Sequence, residues 1–227
     1  MTSSRGAIVL ADGDVPSREL LDTTWPGWLD GVELVVAADG GARHAEGLRL
    51  PIDIWIGDGD SVDPELLARL EADGVDVRRV PADKDETDAE LALATAAAAG
   101  ATRIVLLGGL GGPRLDHALA NIGLVDHPAL PVDGTVLYDA TGARVTLLTG
   151  PATRTMRGRA GDAVSLLPVG STARGVTTAN LRFPLVGEDL EMGRTRGVSN
   201  VRTAPEASVR LESGRLLVIE TPVTVGE

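Results

Sequence analysis

Cysteine is absent from this 227-residue chain, which excludes disulfide bonds and zinc sites built on thiolates. Aromatic residues are few, at three Trp, one Tyr and one Phe, so Leu, Val, Ile and Ala must form most of the hydrophobic core. Long apolar runs are also missing near the N-terminus, where residues 7–11 are too short a run for a signal peptide or a membrane span. We therefore expect a cytoplasmic protein that does not associate with a membrane.

Positive charge is in short supply as well. Lys and Arg total 21 against 33 Asp and Glu, which gives a formal net charge of -12. A nucleic-acid-binding surface needs a basic stripe, so this balance argues against a nucleic-acid partner. It also means that an anionic substrate such as a phosphate would be repelled unless a metal ion reversed the local field.

Segments typical of strands and of helices alternate through the first part of the chain. Predicted strands cover residues 6–11, 32–38, the run around Ile54, 75–80 and 103–107. Predicted helices cover residues 64–72, 88–99 and a stretch from about Arg114. This alternation indicates parallel βαβ units, in which ligands bind beyond the carboxyl ends of the strands. We predict an α/β domain with a parallel, Rossmann-like sheet over residues 1–141.

The pattern changes in the second part of the chain. Short β-rich runs at residues 144–148, 163–167, 175–178, 209–211 and 215–221 are separated by Gly and Pro, without helical periodicity. Such spacing is typical of an all-β domain. We predict a C-terminal β-sandwich domain over residues 142–227.

Two carboxylates follow the strand around Ile54, in the run Gly57-Asp58-Gly59-Asp60-Ser61. In an extended chain this spacing points both side chains to the same side. Carboxylates held together repel each other, and a hard cation with oxygen ligands, such as Mg²⁺, relieves the repulsion. The alternative is an ordinary turn into a helix, with Ser61 or Asp63 as the helix cap.

Other predicted strands are followed by loops of similar composition. They are Asp12-Gly13-Asp14, Asp39-Gly40-Gly41-Ala42, Asp83-Lys84-Asp85-Glu86-Thr87-Asp88 and Gly108-Gly109-Leu110-Gly111-Gly112. Turn formation, a solvated charge run and a helix cap at Thr87 explain each loop separately, but they do not explain why carboxylates recur at strand ends. Gathered at one edge, the loops would form a pocket in which the Gly-rich turn and Arg114 bind phosphate and Asp88 completes a metal site.

These motifs resemble, in order and spacing, those of the thiamine pyrophosphokinase family. The matching stretches in the first half are residues 38–42, 57–61, 83–88 and 108–121. Those in the second half are residues 161–168, 176–178, 197–200 and 216–217. The resemblance implies an α/β nucleotide-binding domain joined to a thiamine-binding β-sandwich, in a homodimer with active sites between subunits. It also implies transfer of pyrophosphate from ATP to the hydroxyl of thiamine, with release of AMP.

The motifs and the resemblance together suggest roles for individual residues. Mg²⁺ would be held by Asp58, Asp60 and Asp88, and Asp116 is the candidate acceptor of the thiamine hydroxyl proton. Thiamine would be bound by Ser199 and Asn200. The residues assigned to ATP binding are Asp39, Gly40, Gly41, Asp83, Lys84, Asp85, Thr87, Gly109, Gly112, Arg114, His117 and Asn121.

Three positions depart from the family pattern. Gly59 stands where an aromatic residue is usual, and Pro113 adds a residue to the Gly-Gly-Arg loop. Val218 replaces the Trp that stacks on thiamine in animal members. The sequence therefore names no group that stacks on the acceptor.

Two other functions stay open at this stage. A pterin pyrophosphokinase of the archaeal type has similar aspartate motifs, and a non-catalytic nucleotide- or metal-binding module would use the same loops. The Ser199-Asn200 element and the full β domain favour thiamine over pterin. The number of carboxylates in the expected pocket favours catalysis over binding alone.

Overall fold

A computed structural model of the protein describes residues 5–223. The chain divides into two compact units, Met1–Thr141 and Gly142–Glu227. Throughout the described part of the chain, no helix is both long enough and apolar enough to cross a membrane.

Within residues 5–141, the first unit is built on six parallel strands. Their bounds are β1 (Gly6–Leu10), β2 (Val32–Ala38), β3 (Ile54–Gly57), β4 (Asp76–Arg79), β5 (Arg103–Leu107) and β6 (Thr135–Tyr138). Neighbouring strands run parallel in the spatial order β6-β5-β1-β2-β3-β4. The predicted parallel sheet is therefore confirmed, and β6 joins it as a strand that the sequence pattern did not predict.

Helices connect these strands. They are α1 (Arg18–Thr24), a 3₁₀ helix (Asp39–His44) that continues into α2 (Ala45–Leu48), α3 (Pro64–Ala72), α4 (Asp88–Ala98) and α5 (Leu115–Leu124). The predicted cap of α4 is confirmed, because the Thr87 hydroxyl accepts a hydrogen bond from the Glu90 N–H at 3.2 Å. The sequence did not predict α1, which buries only Leu21 and so lacks a clear apolar stripe.

The scarce aromatic residues are concentrated in the core of the first unit. Trp25, Trp28 and Tyr138 pack in one cluster with the strand residue Ile8. Trp55 is fully buried in a second cluster. All four aromatic side chains are at most 5% exposed. Because each buries a large apolar surface, these few rings stabilise the unit far more than their number suggests.

The strand order reverses direction at β1. The chain first places β2, β3 and β4 on one side of β1, then returns to place β5 and β6 on the other side. In open parallel sheets, ligands bind beyond the carboxyl ends of the strands at such a reversal. The loops after β1, β2 and β5 are therefore where this topology favours a binding site.

Within residues 142–223, the second unit consists of two antiparallel sheets. The strands are β7 (Arg144–Thr149), β8 (Ala152–Arg157), β9 (Ala163–Pro168), β10 (Ala173–Ala179), β11 (Glu188–Leu190), β12 (Asn200–Val201), β13 (Glu206–Leu211) and β14 (Arg215–Thr221). Their orders are β12-β9-β14-β7 and β11-β10-β13-β8. Side chains of both sheets, including Leu166 and Leu216 from one and Met156 and Val209 from the other, form a single core. The predicted β-sandwich is confirmed.

Candidate active site

A cleft opens in the first unit at the carboxyl ends of the strands. Its walls come from the loops after β1, β2, β3 and β5 and from the first turns of α4 and α5. The lining residues are Ala11, Asp12, Gly13, Ala38, Asp39, Gly40, Ser61, Thr87, Asp88, Ala89, Gly108, Gly111, Gly112, Pro113, Arg114, His117 and Asn121. The loops that were expected at one edge of the sheet therefore share one cleft.

Three carboxylates converge beside this cleft. Asp39, Asp58 and Asp60 each offer an oxygen, and these oxygens all lie within 4.8 Å of one another. Asp58 and Asp60 are brought together by a turn rather than by an extended strand, because β3 ends at Gly57 and the Asp60 N–H donates to Asp58 Oδ1 at 3.1 Å. Gly59 makes the turn possible with a φ of 86°. We refer to these three carboxylates as the acidic triad.

Asp39 is the buried member of the acidic triad, with 4% of its surface exposed. Its Oδ2 accepts a hydrogen bond from the Ser61 N–H at 3.0 Å. No donor faces Oδ1 among residues 5–223. Trp55 fixes the backbone by donating its indole N–H to the Asp39 carbonyl at 3.0 Å. Gly57 leaves the space that Asp39 needs, since a Cβ there would lie 2.8 Å from Asp39 Cβ.

Burial raises the pKa of Asp39, and the neighbouring carboxylates of Asp60, Asp88 and Asp58 raise it further, while the Ser61 N–H opposes them. A buried carboxylate with an unpartnered oxygen and two acidic neighbours is costly unless a cation joins it. Three carboxylates form a set of hard oxygen ligands, which fits Mg²⁺.

The sequence analysis made Asp88 the third metal ligand, and this assignment stays a prediction. Asp88 lines the cleft, but the three clustered carboxylates include Asp39 instead. Asp88 Oδ1 lies 3.0 Å from the Lys84 ammonium, which also lies 3.4 Å from Asp58 Oδ2. Asp39 belongs to the cluster because of the strand order: β2 is hydrogen-bonded to β3, which brings Asp39 beside the turn after β3. Lys84 links Asp88 to the triad without placing Asp88 in it.

Two glycine-containing loops meet on the other side of the cleft. The Gly13 N–H donates to the Gly108 carbonyl at 2.9 Å, and the Gly112 N–H donates to Asp14 Oδ2 at 3.1 Å. A Cβ at Gly13 would lie 2.6 Å from the Gly108 oxygen, so this approach requires glycine. Sequence reasoning assigned no site role to Asp12 or Gly13, although the composition of Asp12-Gly13-Asp14 at a strand end was the signal for them.

Arg114 and Asp116 form an exposed pair at the start of α5. Arg114 donates twice to the Asp116 carboxylate, at 2.9 and 2.6 Å. These hydrogen bonds hold the pKa of Asp116 well below its usual range. In this arrangement Asp116 is a poor proton acceptor, because a base must have a pKa closer to that of the working solution.

The residues assigned to ATP fall into two groups. Those that line the cleft are Asp39, Gly40, Thr87, Gly112, Arg114, His117 and Asn121. Those that do not line it are Gly41, Asp83, Lys84, Asp85 and Gly109. Asp83 and Asp85 are exposed on the loop before α4. Asn121 is buried and donates its amide to the Gly109 carbonyl at 2.9 Å, so it fastens the glycine loop.

The two residues assigned to thiamine differ in their surroundings. Ser199 is exposed, with a φ of 59°, and its N–H donates to Ser165 Oγ at 3.0 Å. Asn200 is only 6% exposed, and its side chain is engaged inside the unit. Its Oδ1 accepts from the Phe183 N–H at 2.9 Å, and its Nδ2 donates to the Phe183 carbonyl at 2.6 Å. Val218, the third departure from the family pattern, is fully buried and cannot reach a ligand.

Family models match both parts of the chain. The model described as thiamin pyrophosphokinase, catalytic domain, matches residues 27–130. The model described as thiamin pyrophosphokinase, vitamin B1 binding domain, matches residues 154–216. The chain belongs to the thiamin pyrophosphokinase family. It is therefore an ATP-dependent enzyme that transfers pyrophosphate from ATP to thiamine.

Solved structures of thiamin pyrophosphokinases have the same fold. The thiamine pyrophosphokinase of Bacillus subtilis is 22% identical, with a TM-score of 0.81 over 97% of this chain and 100% of that one. The family protein from Enterococcus faecalis is 23% identical, with a TM-score of 0.80 over the same shares. The enzyme from Geobacillus thermodenitrificans is 25% identical, with a TM-score of 0.76 over 97% and 98%. A search of curated protein sequences found no match.

Family membership decides between the functions that the sequence left open. Both the catalytic and the vitamin B1 binding models match, so thiamine is the acceptor and the non-catalytic module is set aside. The names of the family models give no residue roles.

Proposed function

We propose that the cleft of the first unit binds ATP together with Mg²⁺, and that Asp39, Asp58 and Asp60 hold the ion. The observation that carries this proposal is the buried Asp39 carboxylate, whose Oδ1 has no donor among residues 5–223 and which clusters with the carboxylates of Asp58 and Asp60. Such an arrangement is stable only with a cation or a proton among the three groups. The bound ion would neutralise phosphate oxygens and make the acidic cleft accessible to an anionic substrate.

The remaining groups of the cleft suit a polyphosphate. The N-terminus of α5 offers backbone N–H groups to phosphate oxygens, and the glycines at 111 and 112 leave room for a phosphate to approach the backbone. Arg114 supplies a guanidinium that can bind two oxygens at once. Lys84, which we keep among the ATP-binding residues, brings an ammonium to the metal side of the cleft. Pyrophosphate transfer depends on such positioning and charge neutralisation more than on covalent help from the protein.

Asp116 stays our candidate for accepting the proton of the thiamine hydroxyl. Its bidentate pair with Arg114 makes the carboxylate a weak base as it stands. If the guanidinium turns to bind phosphate, the Asp116 carboxylate loses that partner and its pKa rises toward the ordinary value. ATP binding would then prepare the base for the acceptor.

We place thiamine on the second unit, near Ser199, and this placement is supported by the description of the family model at residues 154–216. A homodimer with active sites between subunits and a cytoplasmic location remain predictions. Light scattering at several protein concentrations tests the dimer, since a mass of one chain throughout would contradict it. Cell fractionation tests the location.

The first experiment measures thermal stability with ligands. Mg²⁺ with a non-hydrolysable ATP analogue at a hundredfold excess over Kd should stabilise the protein by about 2.7 kcal/mol. For a chain of this size the melting temperature then rises by roughly 5–10 °C. The matched control is Glu65→Gln, which removes one exposed acid from α3 outside the cleft and should respond as the wild type does. An equal rise in the presence of chelator would contradict a metal-bridged phosphate site.

A second experiment measures AMP release from ATP with thiamine, with a hydroxymethyl pterin and with neither. We expect release that depends on thiamine and on Mg²⁺. Release that depends on the pterin alone, or no release with either acceptor, would contradict the proposed function.

A further inference from the structure

Phe183 is the one aromatic residue of the chain whose ring is exposed. The three Trp and the single Tyr all lie within the described residues and are at most 5% exposed. Phe183 is the only Phe, and it is 52% exposed. Four of the five aromatic side chains are therefore buried, and only Phe183 stays at the surface. There its ring contributes less to the stability of the fold than a buried ring would.

The backbone of Phe183 is fixed although its ring is not buried. Asn200 bonds to both the N–H and the carbonyl of Phe183, at 2.9 and 2.6 Å. The preceding N–H, from Arg182, donates to the Val201 carbonyl at 2.8 Å. Two residues later, Leu185 is 1% exposed in the core, and its N–H donates to Thr178 Oγ1 at 2.9 Å. Hydrogen bonds before and after Phe183 therefore hold the segment that carries the ring.

The side chain of Asn200 is hydrogen-bonded to this segment. Its Oδ1 accepts from the N–H groups of Phe183 and Val201, both at 2.9 Å, and the side chain is almost wholly buried. A buried amide that is bonded at both ends is a support for another group rather than a free binding group. The exposed groups beside it are the Phe183 ring and Ser199.

We propose that the Phe183 ring stacks on the aminopyrimidine ring of thiamine, and that Asn200 is a positioning residue that holds Phe183 in place. The proposal rests on the proposed placement of thiamine on the second unit. Aromatic rings favour offset-stacked or edge-to-face contacts with one another. The Arg182 guanidinium carbon lies 5.5 Å from the centre of the Phe183 ring. Its positive charge favours the neutral pyrimidine over the cationic thiazolium at this ring.

Other exposed apolar side chains in the same unit define the competing occupant. Val186 is 78% exposed and Met192 is 54% exposed. If these side chains and Phe183 formed an interface between two copies of the chain, loss of the ring would change the oligomeric state rather than acceptor binding. The experiment therefore includes both measurements.

The test compares Phe183→Leu with Phe183→Trp. Leucine keeps an apolar side chain but removes the ring, so the KM for thiamine should rise roughly threefold to tenfold, as expected for loss of one aromatic contact. The KM for ATP and the melting temperature should stay unchanged, because the ring is half exposed and lies in the other unit from the nucleotide cleft. Tryptophan should keep the KM for thiamine within about twofold of the wild type, since it retains an aromatic face. Val186→Ala, an equally simple truncation nearby, should change neither KM.

A double-mutant cycle tests the positioning role of Asn200. If Asn200 acts through Phe183, then Asn200→Ala raises the KM for thiamine, and the double variant with Phe183→Leu is no worse than the worse single variant. Additive effects would overturn the positioning role. Phe183→Leu changes a half-exposed side chain, so it keeps the stacking proposal testable even if Asn200→Ala folds poorly.

Two results would overturn the stacking proposal. One is a KM for thiamine in Phe183→Leu equal to that of the wild type. The other is a changed mass by light scattering with both KM values unaltered, which would assign the ring to an interface between copies. Failure of the proposed function is a separate result, because it would show as absent thiamine-dependent AMP release in the wild-type enzyme before any variant is made.

Discussion

Glu220 in the second unit and Asp39 in the first are both buried carboxylates, and their surroundings are opposite. Glu220 in the sandwich is 1% exposed and accepts from Arg202 at 2.6 Å on Oε2 and from Arg144 at 3.1 Å on Oε1. Asp39 in the α/β unit is 4% exposed, accepts only from the Ser61 N–H among the described residues, and clusters with the carboxylates of Asp58 and Asp60. Glu220 therefore has two arginine counter-ions, whereas Asp39 has none among the described residues.

The comparison separates a structural charge from a functional one. Removing a carboxylate from water costs several kcal/mol, which an arginine in good geometry can offset within the fold. Asp39 has no such arginine in the part of the chain that the structure describes, and the ammonium at the triad, that of Lys84, contacts Asp58 rather than Asp39. The stability of the acidic triad must then depend on protonation or on a cation taken from solution. Perturbed, unpaired titratable groups in a cleft are therefore a physical sign of a functional site.

Among the changes that test this comparison, the largest loss of stability should come from breaking the ion pair of Glu220 with Arg202. Arg202→Met leaves Glu220 buried with Arg144 as its remaining ion-pair partner among the described residues. We expect a loss of about 3–5 kcal/mol in the free energy of unfolding, the usual cost of removing one partner from a buried ion pair. The melting temperature should fall by roughly 6–20 °C. Thermal melting with and without Mg²⁺ measures this, and the loss should be the same in both.

The matched control is Arg210→Met, which removes an exposed pair. The Arg210 and Glu212 side chains are 61% and 57% exposed, so their pairing should contribute no more than about 1 kcal/mol. Equal losses in the two variants would show that burial does not distinguish these pairs and would undo the contrast with Asp39.

The next effect concerns the triad itself. Asp58→Asn and Asp60→Asn should each lower turnover at least roughly a hundredfold, because each removes a negatively charged oxygen ligand from the proposed ion. The metal-free melting temperature should hold or rise, since the change reduces repulsion among the three carboxylates. Steady-state kinetics and melting in chelator are the two measurements. A clear drop in the metal-free melting temperature with unchanged turnover would make the triad structural, like the Glu220 pair.

A smaller effect is expected at Lys84, the only ammonium or guanidinium that contacts the triad among residues 5–223. Its charge opposes Mg²⁺ and attracts phosphate, so Lys84→Gln should tighten Mg²⁺ binding and weaken nucleotide binding. One partly buried charge is worth about 1 kcal/mol, so each change should be about fivefold. Calorimetry with the ion alone and then with the nucleotide separates them. Lys84→Arg, which keeps the charge, should change neither by more than about twofold, and a shift of both affinities in one direction contradicts this electrostatic role.

Local signals in the sequence sufficed for much of the fold. Alternating strands and helices, the Thr87 cap and the turn at Gly112 each depend on neighbouring residues, and each is present in the structure. At Gly59 the turn was only the alternative to the extended geometry expected there. The membership of the acidic triad depends instead on which strands pair. Asp39 and Asp58 meet because Ala38 lies beside Ile56 across two strands, a contact that no local pattern encodes.

The hydrogen-bond partner of Asn200 was hidden for a similar reason. In the sequence, Ser199-Asn200 reads as a polar pair available to a ligand, but its partner Phe183 is 17 positions away. The backbone bonds between them form only when the segment before β11 lies along β12. A side chain that bonds to a distant backbone group can be recognised only once the pairing of that segment is known.

The smallest effect is a dependence on pH. Burial and the neighbouring carboxylates raise the pKa of Asp39 above the ordinary aspartate value of 3.8. Between the unfolded and the folded pKa, the native state holds a proton that the unfolded chain has lost, so the stability contributed by this group falls as pH rises through that window. Above it, the wild-type protein without metal carries the full penalty of the ionised, buried carboxylate.

Asp39→Asn is permanently uncharged and keeps the oxygen that accepts from Ser61, so it should melt at a slightly higher temperature than the wild type at pH 7 in chelator. This advantage should shrink as the pH falls toward the ordinary range of an aspartate, near about 3.9. Added Mg²⁺ should reverse the order by stabilising the wild type alone. Melting curves of both proteins from pH 4 to 8, with chelator and with Mg²⁺, measure the difference directly, and an advantage that is constant with pH would mean that Asp39 does not lose its proton in this range.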